Sequence, residues 1–335
     1  MKKITGMTLA AIWTASIPLI ARAQIQGPIL DEAGEEIIAT FSIVARDPAT
    51  QELGVAVQSR AFRAGAIVSY AQAGVGAIAT QASANQTYGP RGLELLELGL
   101  SPDEVVRHLT SADPGRDRRQ LAVIDAGGRV RAYTGSGTSD WAGHIEGENY
   151  SVQGNILVGE EVVRGMARAF ESTEGELAER LMAALDAGQA AGGDARGKQA
   201  GGILVVKPIG DSNRTTDRWV DIRVDDSPTP FIELRRLMNM AVSRNSSRRS
   251  RDLEREGRFS EAITEQTKAI RLMPDNDQYV YGLARLRVQA GDTSGGLESL
   301  RRAIEMNARW REVAATSGDF DNALDHPGFR ELLGG

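Results

Sequence analysis

The sequence predicts an α+β domain that is followed by an all-α domain built from helix pairs. Between residue 40 and about residue 225, strand-like segments with alternating or continuous apolar residues are interspersed with pairs of helical segments. From residue 231 onward the pattern is helical only, and small residues recur with the spacing of a helix-pair repeat. The stretch "DDSPTPF" is a natural boundary between them, so we predict domains at 40–228 and 231–335.

The first domain begins with a predicted antiparallel hairpin. The strands "TFSIVARD" and "LGVAVQSR" flank the turn "PATQE", and "AIVSYAQAGVGAIATQASA" contains the short apolar runs and glycines of further strands. A helix is predicted at "GLELLEL".

A second helix is predicted to begin after Ser101. Pro102 suits the first helical position and Glu104 completes a capping box. The segment "QLAVIDAGGRVRAYTG" then predicts another hairpin with its turn at "AGG".

The rest of the first domain repeats this order of helices and strands. "NYSVQGNILVG" leads into the helical segment "EEVVRGMARAF", and "ELAERLMAALDAGQAAG" predicts one more helix. "GGILVVKP" and the alternating "WVDIRV" are the last predicted strands, so helices are expected to cover antiparallel sheets.

The second domain carries an internal repeat. Gly257 and Ala269 recur as Gly291 and Ala303, at the period of about 34 residues that is typical of tetratricopeptide (TPR) helix pairs. We expect one and a half to two TPR-like repeats, a capping helix at "DFDNALDHPGFRELL", and docking on the first domain. The Arg-rich stretch 244–258 is interleaved with acidic residues, which favours a solvated helix face.

The N-terminus has the pattern of an export signal. Lys2 and Lys3 precede an apolar segment that ends at "ARA", and we predict cleavage after Ala23. The apolar segment is interrupted and short, so no stable membrane insertion is expected. Residues 1–23 are then a signal peptide, residues 24–39 a leader, and the protein periplasmic or secreted.

Composition narrows the chemistry. The chain has 335 residues, a formal net charge of −6 and no cysteine, which argues against nucleic acid as a partner and excludes thiol nucleophiles and thiolate metal sites. It has three histidines, of which only His144 is a candidate for a catalytic triad. We therefore expect no metal and no cofactor, and a hydrolase of this composition would use Ser or Thr activated by something other than histidine.

Thr40 offers such a solution, because an N-terminal threonine can attack a carbonyl while its own α-amine takes the proton. This requires removal of the residues before Thr40. Two interpretations of Thr40 remain open: the first residue of a strand, which β-branched residues favour, or a nucleophile that becomes an N-terminus.

Several segments resemble one bacterial family, the Ntn-hydrolase-like domain-of-unknown-function family ten twenty-eight. The resemblance covers residues 40 to about 208 and is carried by these motifs in order: "TFSIVARDPATQELGVAVQSR", "GVGAIATQASAN", "YGPRGLELL", "DPGRDRRQLAVID", "YSVQGNILVG" and "AGQAAGGDARGKQAGGILVV". It implies a four-layer αββα sandwich of the kind used by N-terminal-nucleophile (Ntn) amidohydrolases and proteasome β-subunits.

The chain departs from the proteasomal pattern at three places. Gln58 stands where an Asp precedes Ser-Arg, Ala200 stands where a Ser precedes Gly-Gly, and no lysine occurs between residues 40 and 197. These departures argue against proteasome-like proteolysis. They leave a small-molecule amidase, or a fold that has lost catalysis.

Further candidate site residues accompany Thr40. Asn155, with Gly154 before a helix, is a candidate for oxyanion stabilisation, and Arg60, Arg63 and Arg91 are candidates for a clamp on a substrate carboxylate. The other predicted substrate-binding residues are Gln58, Ser59, Asn85, Gln153 and Asp194.

We therefore predict an exported Ntn-type hydrolase that cleaves a C–N amide bond of a small, anionic molecule, with Thr40 as nucleophile. The alternative is a non-catalytic periplasmic binding or scaffold protein whose TPR-like helices recruit a protein partner. Homo-oligomer formation is compatible with either function.

Overall fold

The computed structural model describes residues 37–38, 40–138, 141–208 and 217–334. The strands are β1 (Ile37–Ile38), β2 (Thr40–Arg46), β3 (Leu53–Ser59), β4 (Ser69–Gln72), β5 (Gly76–Ser83), β6 (Arg119–Asp125), β7 (Val130–Thr134), β8 (Trp141–Gly147), β9 (Tyr150–Leu157), β10 (Ala200–Val206) and β11 (Arg218–Val224). The helices are α1 (Ala64–Val68), α2 (Tyr88–Glu97), α3 (Pro102–Ser111), α4 (Glu161–Ser172), α5 (Leu177–Ala190), α6 (Pro230–Arg255), α7 (Phe259–Leu272), α8 (Asp277–Gln289), α9 (Thr293–Met306), α10 (Arg309–Thr316) and α11 (Pro327–Leu333). Among these helices, none combines the length and the apolar character that crossing a membrane requires. The predicted signal peptide and its cleavage site after Ala23 lie outside the described residues.

A six-stranded sheet is formed in the order β11-β10-β3-β2-β9-β8, with every neighbouring pair antiparallel. In β2 the apolar residues Phe41 and Ile43 belong to one face, and Thr40, Ser42 and Val44 belong to the other. The predicted hairpin of β2 and β3 is confirmed, and its register pairs Thr40 with Ser59.

A five-stranded sheet is formed by β1, β5, β6 and β7 in that order, with β4 also paired to β5. One edge of β5 pairs with β6. The other edge is shared, because β4 pairs with Gly76–Ala79 and β1 pairs with Ala82 and Ser83. The two residues described before Thr40, Ile37 and Ile38, therefore belong to a different sheet from Thr40.

Three apolar clusters organise the first domain. Small and branched residues of both sheets, such as Val57, Ala79 and Ala122, fill the space between the sheets, which we call the inter-sheet space. Helices α4, α5 and the first half of α6 pack on the other face of the six-stranded sheet. Helices α2 and α3 pack on the outer face of the five-stranded sheet. The prediction of an α+β domain with helices covering antiparallel sheets is confirmed.

Two elements differ from the sequence-based expectation. Ala64–Val68 is a short helix rather than a strand, since a short apolar run does not distinguish the two states. Strand β8 was not predicted, because it is an edge strand whose residues are half-buried or exposed and so lacks a clear apolar alternation.

The C-terminal region is helical, as predicted, and its helix pairs repeat. Helix α9 begins and ends 34 residues after α7 (259 to 293 and 272 to 306). Gly257 and Gly291 follow the preceding helices with φ of 75° and 89°, a conformation that glycine adopts without strain after a helix end. The 34-residue sequence repeat therefore corresponds to a repeated structural unit.

Helix α6 joins the two parts of the chain without interruption. Its residues Leu234, Met238 and Val242 belong to the core of the first domain. Short polar side chains of the turns that follow are buried: Asn245 Nδ2 donates to the Trp219 carbonyl at 3.0 Å, and Ser250 Oγ donates to the Ala262 carbonyl at 2.8 Å. Short polar side chains let α6 lie close to β11 and α7 while their hydrogen-bonding groups stay paired.

Ion pairs connect the helical region to α5. Lys268 Nζ lies 2.7 Å from Glu176 and 2.9 Å from Glu179, and Arg249 pairs with Glu176 and Glu265. Arg249 is half-buried, so the expectation that the whole Arg-rich stretch faces solvent is wrong at this residue. The predicted docking of the helices on the first domain is confirmed by these contacts.

Glu52 gives this junction a pH dependence. Burial, and then the negative charges of Glu176 and Asp47, raise the pKa of Glu52 to about 7, while Arg249 and a hydrogen bond from Thr50 oppose the increase. The folded state therefore favours protonated Glu52. Its contribution to stability is complete below the ordinary pKa of 4.5 and is lost as the pH rises toward 7.

We expect Glu52→Gln to remove this loss. The variant should be more stable than the wild type at pH 8 by about 1 to 3 kcal/mol and should differ little from it near pH 4. Urea unfolding at both pH values measures the difference. Glu94→Gln, at an exposed position of α2, is the matched control, and an equal effect of both substitutions would contradict the assignment.

Candidate functional site

Thr40 is the first residue of β2 and lies between β3 and β9. Its register partners are Ser59 on β3 and Asn155 on β9, and all three face the inter-sheet space. The Thr40 side chain has no exposed surface, and its nitrogen is part of the peptide bond to Ala39. The structure thus describes Thr40 as a buried, acylated residue.

A hydrogen bond links the two hydroxyl groups at this point. Thr40 Oγ1 donates to Ser59 Oγ at 3.2 Å, and Ser59 Oγ also accepts from the backbone N–H of Ala61 at 3.0 Å. Ser59 was predicted as a site residue, and the structure brings it together with Thr40. Because Ala61 holds the Ser59 oxygen, the Thr40 hydroxyl has a fixed partner.

Asn155 contributes an unusual polar atom. Its Nδ2 donates to Gln120 Oε1 at 3.0 Å, whereas its Oδ1 is buried without a hydrogen-bond partner in the described part of the chain. An unpaired buried acceptor costs about 1–3 kcal/mol. The next residue, Ile156, has φ of 51°, a left-handed conformation that is rare for a β-branched residue. Strain and an unpaired acceptor thus occur together beside Thr40.

Gln81 and Gln120 extend the site across both sheets. Gln81 Nε2 lies 3.4 Å from the Thr40 carbonyl oxygen and 2.8 Å from Gln120 Oε1. Gln120 Nε2 donates to the Gly154 carbonyl at 2.8 Å and to Thr134 Oγ1 at 2.9 Å. Sequence reasoning missed both glutamines. The sequence did contain a signal for them. Gln81 is two residues after Ala79 in β5, and Gln120 is two residues before Ala122 in β6, so each glutamine lies on the same face of its strand as an inward-facing alanine.

A second chain of hydrogen bonds reaches Gln81 from Gln153, which was predicted as a site residue. Gln153 Nε2 donates to Ser42 Oγ at 2.6 Å, and Ser42 Oγ donates to Gln81 Oε1 at 2.6 Å. Ser151 Oγ donates to Gln153 Oε1 at 3.0 Å. We call Gln81, Gln120, Gln153 and Asn155 the amide network. Its members are buried and carry no charge.

Gln120→Met is expected to lower the free energy of unfolding by about 2–4 kcal/mol, since it leaves the Gly154 carbonyl and Asn155 Nδ2 without these partners in a buried position. Thermal or urea unfolding measures the loss. Gln199→Met is the matched control, because Gln199 bonds only the exposed Asp226 in its described side-chain contacts and should change stability by less than about 0.5 kcal/mol. Equal effects at both positions would show that the network adds no stability.

Gln58 does not belong to this site. It follows Val57 and precedes Ser59 on β3, so the pleat turns its side chain to the face that packs on the helices. Both side-chain polar atoms of Gln58 are buried without a hydrogen-bond partner among the described residues. Gln58 was predicted to bind substrate; the structure corrects this, because its side chain lies on the face of the sheet opposite to Thr40.

Asp194 anchors the loop between α5 and β10. Its buried carboxylate accepts from the backbone N–H groups of Arg60 at 2.9 Å and Arg196 at 2.8 Å, and it pairs with the Arg196 guanidinium. Arg60 in turn donates to the Arg196 carbonyl. Asp194 and Arg60 thus fix the chain immediately after Ser59 and act on the site through its backbone.

The predicted three-arginine clamp is not assembled. Arg60 and Arg63 follow β3 of the six-stranded sheet, and Arg63 is exposed. Arg91 lies on α2, outside the five-stranded sheet, where it lines a cavity of about 240 Å³ with Asn85 and Asp113. Because α2 covers the outer face of that sheet, Arg91 and Asn85 are separated from the inter-sheet space by a layer of strands.

Asn85 instead belongs to a buried cluster around Asp113. Asp113 accepts hydrogen bonds from Tyr88 Oη at 2.8 Å, Arg119 Nε at 3.0 Å and Asn85 Nδ2 at 3.3 Å. Burial alone would raise the pKa of Asp113, but the bonds from Arg119, Tyr88 and the Gly115 N–H hold it at about 2. Burial and the bond to Asp113 raise the pKa of Tyr88.

His144 lies at the opposite end of the amide network. Its Nδ1 is 2.9 Å from Thr134 Oγ1, and both residues line an open pocket with Arg131 and Glu146. Displacement of water from its ring lowers the pKa of His144, with Arg131 adding to the decrease and Glu146 opposing it. His144 does not contact Thr40 in the described hydrogen bonds, so a triad with Thr40 is not formed. Within the described ranges, no group of three or more metal-binding side chains lies together.

The predicted oxyanion position also changes. Gly154 and Asn155 lie inside β9, which ends at Leu157, and α4 begins only at Glu161. They are therefore not at a helix N-terminus, and Gly154 presents its carbonyl to Gln120.

Comparison with known proteins gives a family but no assigned activity. The sequence profile of DUF1028, a family of unknown function, matches residues 40–234. The crystal structure of protein SPO2555 from Silicibacter pomeroyi, also designated DUF1028, is 32% identical in sequence; the match covers 61% of this chain and 86% of that one, with a TM-score of 0.56. No curated protein matches the chain.

Proposed function

This chain belongs to DUF1028, a family of unknown function, and from the geometry around Thr40 we propose that it is the precursor of an Ntn-type amidohydrolase. In this proposal the bond between residue 39 and Thr40 is cleaved. The free Thr40 then hydrolyses a C–N amide bond in a small substrate.

One observation carries the proposal: Asn155 Oδ1, an acceptor with no hydrogen-bond partner in the described part of the chain, lies on the neighbouring strand at the register position of Thr40. Cleavage before Thr40 would convert its amide N–H into an amine with new N–H donors. Asn155 Oδ1 is an acceptor for such a donor, and the bond would remove the cost of leaving this oxygen unpaired. In the proposal Asn155 thus binds the α-amine and is a catalytic residue, in place of its predicted oxyanion role.

The residues around Thr40 leave the α-amine as the acceptor for the Thr40 hydroxyl proton. The amide network, Ser42 and Ser59 offer no side chain that takes up a proton near neutral pH. An α-amine has a pKa of about 7.7–8.0, so it serves as the general base once it is free. Thr40 Oγ1 then attacks the carbonyl carbon of the substrate while its proton passes to the α-amine.

The following steps return the enzyme to its starting state. The C–N bond breaks as the α-amine gives the proton to the leaving nitrogen, and the acyl group remains as an ester on Thr40 Oγ1. Water, deprotonated by the same amine, attacks the ester, and the carboxylic acid leaves. Ser59 Oγ accepts the Thr40 hydroxyl hydrogen at 3.2 Å and so holds the nucleophile before attack.

The same attack on the residue 39 carbonyl releases the leader. Thr40 Oγ1 adds to that carbonyl, its proton passes to the Thr40 nitrogen as the peptide C–N bond breaks, and the leader is held as an ester on Oγ1. Water, deprotonated by the newly freed α-amine, then hydrolyses the ester, which releases the leader as a carboxylic acid and leaves a free Thr40 amine. Removal of the leader is required because Thr40 is acylated while the leader is attached, so its nitrogen cannot act as the base.

The finer description of the fold is part of this proposal. The clusters between the two sheets and on their outer faces support an Ntn-like αββα sandwich, and the helix pairs that repeat after 34 residues support a TPR-like module. Export by a signal peptide cleaved after Ala23 is likewise proposed. Because the arginine clamp is not assembled, the proposal retains amide cleavage and drops the preference for an anionic substrate.

The N-terminus of the protein recovered from its native compartment tests the proposal. We expect intact mass and N-terminal sequencing to give a chain that starts at Thr40. A chain that starts at Gln24 and stays so after prolonged incubation would contradict the proposal. It would favour the alternative, a non-catalytic binding protein whose helical region recruits a partner.

A further inference from the structure

The strand β1 lies immediately before the bond that is cleaved in the proposed reaction. Ile37 and Ile38 immediately precede the proposed scissile bond after residue 39, and they pair with Ser83 and Ala82 of β5 in antiparallel register. They therefore belong to the acyl side of the bond that Thr40 would attack. Their backbone is held by the five-stranded sheet, whereas Thr40 belongs to the six-stranded sheet.

At Ala82 and Ser83, the edge of β5 pairs only with the short strand β1 among the described strands. β4 covers the same edge only along Gly76–Ala79, so Ala82 and Ser83 have β1 as their strand neighbour on that side. Loss of the leader would leave this part of the edge without it. A short stretch of sheet edge that has lost its strand neighbour beside a nucleophile is a site for strand addition, in which main-chain hydrogen bonds hold an extended peptide.

The backbone at Ala82 supports a special role for this edge. Ala82 has φ of 68°, although it is not glycine and lies within a strand. Such a conformation costs about 1–3 kcal/mol and occurs preferentially at ligand-binding positions. It falls on the residue that pairs with Ile38, and the preceding residue, Gln81, contacts the Thr40 carbonyl.

We infer that the edge of β5 at Ala82 and Ser83 is the acyl-side substrate subsite, and that its ligand is an extended peptide bound antiparallel to β5. This inference rests on the proposed function. The leader and the substrate place an acyl carbonyl in front of the same Thr40 Oγ1, so the residues before that carbonyl follow the same path. The substrate class is therefore a short peptide or peptidyl amide, and the leader blocks the subsite until it is removed.

A binding experiment tests the subsite without requiring catalysis. The full chain with Thr40→Ala keeps its leader, and the same chain with Ile37→Pro and Ile38→Pro loses the N–H groups with which β1 can pair. The probe is the fluorescein-labelled peptide amide AGEEII, residues 33–38, read by fluorescence anisotropy. A second probe carries N-methyl groups at both isoleucines.

We expect the first probe to bind the proline variant at least about tenfold more tightly than the Thr40→Ala chain, and the N-methylated probe to bind neither. Equal binding of both probes, or no gain in the proline variant, would overturn the subsite. If the prolines prevent folding, they are replaced by Ile37→Gly with Ile38→Gly, which weakens the strand because glycine loses more conformational freedom on folding.

A separate measurement tests the hydrolytic reaction. Intact mass reports whether the wild-type chain loses its leader. Peptide binding without leader loss would keep the subsite and reject the hydrolase, whereas leader loss without peptide binding would keep the hydrolase and reject the subsite.

Discussion

Replacing Thr40 by alanine is expected to abolish both leader release and amide hydrolysis. The substitution removes the Oγ1 atom that forms the ester in the proposed reaction, so a reduction of about 10³-fold or more is expected in kcat/KM. Intact mass should show the leader retained on the Thr40→Ala chain. Hydrolysis of a panel of peptidyl amides by the wild type and the variant measures the loss.

Two substitutions control this result. Thr40→Ser keeps a hydroxyl and should retain leader release. Thr80→Ala removes an equally buried strand threonine whose Oγ1 bonds the Asn85 carbonyl, and it should leave leader release unchanged. Full amidase activity in Thr40→Ala would reject Thr40 as nucleophile, and loss of release in Thr80→Ala would show that reduced stability alone explains the effect.

Asp113→Ala is expected to cause the largest loss of stability, about 3–5 kcal/mol. Asp113 and Arg119 form an ion pair at 3.0 Å with side chains only 10% and 8% exposed. Removing the carboxylate leaves the Arg119 charge in a buried position without this counter-ion, which costs far more than the pair itself contributes. Urea unfolding at pH 7 measures the change in the free energy of unfolding.

Asp103→Ala is the matched control. Asp103 pairs with Arg107 and Arg131, but all three side chains are about half exposed or more, so the expected change is below about 1 kcal/mol. A loss of similar size in the two variants would contradict the importance of burial for Asp113.

The same cluster predicts how stability falls in acid. The pKa of Asp113 is lowered from 3.8 to about 2, so its contribution is complete above pH 3.8 and is lost as the pH falls toward 2. The shift corresponds to about 2 kcal/mol. Asp113→Asn should remove this part of the acid dependence, which unfolding curves between pH 2 and 5 measure.

Local patterns were sufficient for most of the elements. The hairpin of β2 and β3 followed from alternation around a proline-containing turn, and the helix after Ser101 has the predicted capping box, with both reciprocal hydrogen bonds. The repeat in the C-terminal region followed from small residues 34 positions apart. These features depend on interactions within one segment, so the residues themselves specify them.

The candidate site could be predicted only in part. Thr40, Ser59, Gln153 and Asn155 were expected and lie together on neighbouring strands. Gln58 was expected beside them, yet the pleat turns it to the other face, because successive side chains of a strand alternate between faces. Gln81 and Gln120 were missed, since an isolated glutamine in a strand gives no local sign of its partner on another sheet.

The sequence by itself determined the strands and helices, the helix-pair repeat and the candidacy of Thr40, because each depends on neighbouring residues. Tertiary structure decided which polar side chains meet. It paired Thr40 with Asn155, left Asn155 Oδ1 without a hydrogen-bond partner among the described residues, separated Arg91 from Arg60, and attached Ile37 and Ile38 to the opposite sheet. The physical reason is that these relations depend on the register and stacking of strands far apart in the chain, which only the packed core fixes.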